Sequence, residues 1–289
     1  MNFGITVPNF GPFHHPRAMA NLARQAEEAG WDGFFVWDHL LPMPIPVCDP
    51  WIALAAVAVN TEQIKLGPLV TPLPRRRPQK VARETVSLDQ LSGGRLILGV
   101  GIGSGPSEWE YLGEEADQRK RGDMLDEALE ILSKAWSGDQ FSYNGTHYKI
   151  KGDLPGGRAQ FLPKAVQEKI PIWVGGVWPN KRPFRRAAGY DGVIPIMSLM
   201  GDVPSPEELR EILRYIKDHR TIETRFDVVI CGRTADGADT EKVVSYERAG
   251  ATWWLETIDP FSFGWKFEGE MPIEAMNARV RAGPPKVSR

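Results

Sequence analysis

Leu96-Ile97-Leu98-Gly99-Val100-Gly101-Ile102-Gly103-Ser104-Gly105-Pro106 is an apolar strand-like run that dissolves into glycines, and it separates two architectures. A doubly wound sheet that binds a dinucleotide carries GxGxxG at this point. Counted from Gly99 the sixth position is Ser104, and counted from Gly101 it is Pro106, so the fingerprint is absent. Outward from this run, strand-like and helix-like segments alternate along the whole chain, the pattern of repeated βα units. The expected strands are 2–7, 33–37, 65–70, 96–101, 172–174, 192–196, 226–231 and 252–255. The expected helices are 17–29, 51–59, 78–91, 121–136, 182–188, 206–219, 240–249 and 272–282. Eight such pairs in 289 residues predict a closed (β/α)8 barrel, the TIM-barrel architecture, as a single domain over 1–289. Phe141–Ile150, with Asn144-Gly145 at its centre, predicts an inserted β-hairpin with a tight primed turn.

Composition narrows the function. The chain is 42% apolar and 25% charged with a formal net charge of -2, and its longest basic block is Arg75-Arg76-Arg77, which argues against a nucleic-acid surface. No window approaches the roughly 18 apolar residues of a membrane span, and the first residues lack a signal-peptide pattern, so a cytoplasmic protein is expected. Cys48 and Cys231 lie far apart and form no CxxC pair, and no histidine or carboxylate cluster has ligand spacing. Neither a disulfide framework nor a metal site is therefore expected.

The chemistry-bearing candidate is Gly33-Phe34-Phe35-Val36-Trp37-Asp38-His39, an apolar strand that ends on an adjacent carboxylate and imidazole. In parallel α/β proteins the carboxyl ends of strands carry the ligands and catalytic groups. Trp37, Trp51, Trp109, Trp178 and Trp254 fall near expected strand ends or their loops and are candidates to line an apolar substrate pocket. Arg75-Arg76-Arg77 follows the third strand on the same side and is a candidate to attract an anionic group.

Four motifs in order, Trp37-Asp38-His39, Leu66-Gly67-Pro68-Leu69-Val70-Thr71-Pro72, Leu91-Ser92-Gly93-Gly94-Arg95-Leu96-Ile97-Leu98-Gly99-Val100-Gly101 and Pro171-Ile172-Trp173-Val174-Gly175-Gly176, resemble the luciferase-like flavin and deazaflavin oxidoreductases. The resemblance implies a (β/α)8 barrel and a flavin-type cofactor across the carboxyl ends of its strands. It assigns cofactor contact to Asp38, Leu69, Val70, Thr71, Gly101, Ile102, Gly175, Gly176 and Val177, with a non-prolyl cis peptide at Leu69-Val70. Members that use coenzyme F-420 (F420), an 8-hydroxy-5-deazaflavin, carry Asp-His at the end of strand two, so F420 is the expected cofactor and FMN the alternative. A deazaflavin moves a hydride, which makes His39 the candidate for the accompanying proton, with Asp38 orienting the imidazole or bonding the ring system.

Two positions depart from the deazaflavin dehydrogenases of that family: an aromatic four residues after the histidine is Met43, and an acidic residue of the strand-four loop is Ser104. Glu108 and Glu110 are the nearby acids, and spacing selects neither. The expected activity is hydride transfer to or from a small or medium apolar substrate. The alternatives are an FMN-dependent monooxygenase fed by a reductase partner and a non-catalytic flavin-binding barrel. A homodimer is implied by the resemblance.

Overall fold

A computed structural model describes residues 1–40, 44–155, 157–198, 202–234 and 239–286. Met43 lies outside the described residues. In chain order the elements are β1 (Asn2–Val7), α1 (Pro16–Glu28), β2 (Gly33–Val36), α2 (Pro50–Asn60), β3 (Lys65–Pro68), β4 (Thr71–Pro72), α3 (Pro78–Leu91), β5 (Leu98–Gly101) and α4 (Gln118–Ser137). Four two-residue strands follow, β6 (Tyr143–Asn144), β7 (Lys149–Ile150), β8 (Asp153–Leu154) and β9 (Gly157–Arg158). The chain then runs through β10 (Ile172–Val177), α5 (Lys181–Ala187), β11 (Gly192–Ile196), α6 (Pro206–His219), β12 (Asp227–Gly232), α7 (Thr240–Ala249), β13 (Trp253–Thr257) and α8 (Ile273–Arg281).

The parallel sheet has the order β3-β2-β1-β13-β12-β11-β10-β5-β4. A parallel bridge between Leu66 and Leu96 brings its two ends together, which makes the sheet the TIM barrel expected from the repeats. β3 and β4 act as one barrel strand interrupted at Leu69-Val70, whose peptide bond is cis: β3 pairs with β2, and β4 pairs with β5.

Side chains alternate across each strand, so one set fills the barrel and the other meets the helices. Phe35, Ile97, Trp173, Ile194, Val229, Trp253 and Leu255 form the inner cluster. Phe34, Val36, Val174, Ile230 and Trp254 belong to the larger layer that packs under the helices. Proline occupies the first turn of α1, α2, α3 and α6, where its missing N–H has no helical partner to lose. Arg95, buried in the Ser92-Gly93-Gly94-Arg95 turn, donates to the carbonyls of Ala58, Thr61 and Ile64. That arginine ties the end of α2 to the start of β5 on the rim opposite the site.

The inserted hairpin forms, with a different turn from the one expected. Tyr143 pairs with Ile150 and Asn144 with Lys149, leaving the four residues 145–148 as the connection. The Glu127 carboxylate on α4 accepts the amides of Thr146, His147 and Tyr148 and holds the loop open, so Asn144-Gly145 is its shoulder and not its centre. A second small hairpin, β8–β9, follows it.

Candidate active site

Every strand of the ring is parallel, so the segments after β1, β2, β4, β5 and β10 emerge on the same rim. Trp37, Asp38 and His39 leave β2 there, and Gly175-Gly176-Val177 end β10 there. Between them stands Val70, beside the cis bond. A Cβ on Gly101 would lie 2.8 Å from Val70 Cγ2, and one on Gly175 would lie 3.2 Å from Val70 Cγ1. The two glycines therefore leave Val70 as an apolar floor with no side chain rising beside it on those strands. Leu69 belongs to the inner cluster on which Val70 packs, and Ile102, just after β5, and Val177, at the end of β10, are half-buried. Gly176 faces outward instead, where a Cβ would lie 2.4 Å from Pro183 Cβ, so it serves close packing of α5 on its strand.

Asp38 is buried and its two oxygens are taken by other groups. Thr71 Oγ1 donates to it, Arg76 donates at 2.8 Å and 2.9 Å, and Arg75 donates at 3.3 Å. The expectation that Asp38 orients the imidazole is corrected: the partner of His39 Nδ1 is Glu108 Oε1, at 3.1 Å. Glu108 also accepts from Leu40 N at 2.7 Å and from Arg75 at 3.1 Å. Arg75 thus joins both carboxylates, forming a continuous chain Thr71–Arg76–Asp38–Arg75–Glu108–His39. The expectation of arginines free to attract an anion fails for two of the three, because Arg75 and Arg76 are consumed inside this network. Glu110, the other acid that spacing left open, is exposed, whereas Glu108 is buried.

Beside a carboxylate that can only accept, Nδ1 carries the proton, and Nε2 is the nitrogen left to take or give one. The imidazole side chain is 31% exposed, in contrast to 5% for Glu108, so the network presents its imidazole end outward. Phe10 and Trp37 stand edge-on to the His39 ring at 6.1 Å and 5.8 Å between centroids, and Trp37 is pinned by its Nε1 donating to Thr6 Oγ1.

The other tryptophans do not share this position. Trp109 is buried between Arg121 and Arg75, whose guanidiniums lie 4.0 Å and 5.6 Å from its ring, and it backs the network from behind. Trp51, in the first turn of α2, is buried with Arg76 5.7 Å above its ring. Trp178 and Trp254 are corrections. Trp178 follows the inward-facing Val177, points outward, and packs on Phe184 and Tyr215 under the helices. Trp254 follows inward Trp253 and so faces α7, where it meets Tyr246 and donates to Glu256.

Cys231 lies on the inner face of β12, packed against the inner cluster, and Cys48 is buried near Phe13. Burial pushes the Cys231 thiol up to about 12, and burial with the neighbouring Asp49 charge pushes Cys48 up to about 11. Thiolate is the reactive form. Cys48, buried, is expected to resist iodoacetamide in the folded protein at pH 8 and to react once it is unfolded in urea, as counted by intact mass. Among the described residues no group of three or more potential metal ligands converges, and no helix is long and apolar enough to cross a membrane.

A family model described as luciferase-like monooxygenase matches residues 1–262. The F420-dependent glucose-6-phosphate dehydrogenase of Nocardia farcinica is 32% identical over 206 residues, which cover 67% of this chain and 56% of that protein. The 4-hydroxyprotoasukamycin monooxygenase of Streptomyces nodosus subsp. asukaensis is 30% identical over 250 residues, 84% of this chain and 62% of that protein. The chain spans about half the length of the F420-dependent relatives it matches. Among solved structures, the coenzyme F420-dependent tetrahydromethanopterin reductase of Methanopyrus kandleri superposes with a TM-score of 0.73 at 18% identity, over 98% of both chains.

Proposed function

Because the chain belongs to the luciferase-like monooxygenase family, we propose that it is a coenzyme F420-dependent oxidoreductase, moving a hydride to or from a small or medium apolar organic substrate while His39 carries the proton. The observation that carries this reading is the His39–Glu108 pair on the same rim as the Val70 floor. A flat apolar floor flanked by two side-chain-free positions fits a planar tricyclic ring, and the F420-dependent relatives support a deazaflavin in that place. Residues to hold it are Leu69, Val70, Gly101, Ile102, Gly175 and Val177, while the Thr71 hydroxyl is given to Asp38.

The cofactor, when bound, supplies a two-electron hydride donor or acceptor. The chain's own residues do the rest. Glu108 fixes the imidazole by Nδ1, so that Nε2 is the site where the proton is held or released. Arg75 donates to Glu108 Oε2 at 3.1 Å in a buried position and so fixes the group that fixes the imidazole. Trp37 and Phe10 form an apolar border that keeps water from the imidazole's flanks.

A second reading is an FMN-dependent oxygenation with reduced flavin delivered by a reductase partner, and the monooxygenase relative supports its oxygenation. Titrating the purified protein with each cofactor, followed by quenching of its fluorescence, separates them. Saturable micromolar or tighter binding of F420 with much weaker FMN binding is expected. Tight FMN binding with none of F420 would overturn the first reading.

A further inference from the structure

From His39 a continuous file of aromatic rings runs out of the mouth to the surface. Phe10 stands 6.1 Å from His39, Phe261 6.3 Å from Phe10, Phe267 4.9 Å from Phe261, and Trp265 5.2 Å from Phe267 and 5.4 Å from Phe261. The inner member, Phe10, is buried, whereas Phe261 is 38% and Phe267 59% exposed. Large aromatic rings left in water cost hydrophobic free energy, and a grouped set of them marks a binding surface more than a scattered one does.

The loop that carries them is built to hold them out. Ile258 N donates to Thr6 O, Ser262 N to Asp259 Oδ1, Trp265 N to Pro260 O and Trp265 Nε1 to Gly269 O, so the segment after β13 is a folded unit anchored to β1. Phe267 adopts φ +66°, a left-handed conformation that a bulky side chain rarely takes. Such outliers cluster where the surroundings hold a group for use. Here it places the ring against both neighbours.

We propose that Phe261, Trp265 and Phe267 form a substrate subsite for a planar, uncharged aromatic molecule, stacked along this file with its reacting end toward His39. This rests on the oxidoreductase reading and adds the substrate class to it. The charges agree. Around the file Lys266 and Arg233 stand against Glu268 and Glu270, so no net positive charge gathers there for an anion, and Arg75 and Arg76, the cations of the imidazole network, are held by Asp38 and Glu108. A sugar phosphate would find neither free.

Equilibrium dialysis with 2-naphthol, cyclohexanol and 2-naphthoate tests the subsite without any cofactor, so a failure of F420 binding and a failure of this subsite are separate results. We expect 2-naphthol to bind about tenfold tighter than the other two. Phe267→Ala and Trp265→Ala are each expected to weaken it about five- to tenfold, and Phe261→Leu, which keeps apolar bulk and removes the ring, about threefold. Circular dichroism and thermal melting confirm that the variants fold. Equal binding to wild type and all three variants overturns the subsite. So does a change from dimer to monomer on Phe267→Ala in sedimentation velocity, which would make the patch an interface with a second copy.

Discussion

Asp38→Ala is expected to destabilise the protein by about 3–5 kcal/mol, the usual cost of removing one partner from a buried ion pair. At this chain length that lowers the melting temperature by roughly 10 °C. The size follows from what stays behind. The Asp38 side chain is fully buried, and it faces Arg75 and Arg76, whose side chains are 4% and 18% exposed. Arg75 keeps Glu108 and the Asp38 carbonyl, but Arg76 is left with Thr71 Oγ1 alone among the contacts within this network. The stranded guanidinium, more than the lost attraction, is the cost. Asp38→Ala with Arg76→Met should therefore recover a large part of the loss, and denaturant unfolding of the two single variants and the double variant measures that coupling. A loss under about 1 kcal/mol for Asp38→Ala would mean that the network behaves as a solvated surface pair.

The parts of the fold that could be read from the sequence are those with local punctuation. The limits of α3, α6 and α7 coincide with the expected 78–91, 206–219 and 240–249, because Pro78 opens the first, a Ser205–Glu208 capping box opens the second and Gly250 closes the third. β10 runs to Val177 where only 172–174 was expected, since Gly175-Gly176 reads as loop until the close packing of Val70 and Pro183 against it is known. Asn144-Gly145 misled for a related reason: a glutamate seventeen residues earlier, on α4, sets the turn.

The site shows the same division between local and long-range information. That Asp38 and His39 stand at a strand end is visible in one short stretch. Glu108 lies 69 residues from its imidazole partner, and only closure of the barrel joins them. Arg75-Arg76-Arg77 reads as a run open to an anion because nothing local announces the buried carboxylates that face it. The outward place of Trp254 follows from strand parity. Two adjacent residues of a strand cannot face the same side, and the inward set that contains Trp37, Trp173 and Trp253 excludes it by parity.

His39→Ala is expected to lower turnover by about 10²–10⁴-fold while F420 affinity stays within about twofold. The separation rests on geometry. His39 touches the network only at its outer end, and without it Glu108 still holds Arg75 and Leu40 N, so the fold and the Val70 floor persist. Chemical rescue sharpens the test, because added imidazole can enter the vacated space beside Phe10 and Trp37 and restore proton exchange but cannot restore a collapsed site. Glu108→Gln gives the companion result. The amide keeps the shape but loses the charge-assisted bond to Nδ1 and turns its NH2 toward the Arg75 guanidinium, so thermal melting is read beside the kinetics, and a positioning role predicts a fall in kcat of about tenfold with little change in KM and no rescue by imidazole. Unchanged turnover in His39→Ala with cofactor bound would remove the imidazole from the chemistry and leave the proton to another group on the rim. Equal losses of affinity and turnover would instead make His39 a binding residue, placing its edge against the cofactor and not its Nε2 in the path of the proton.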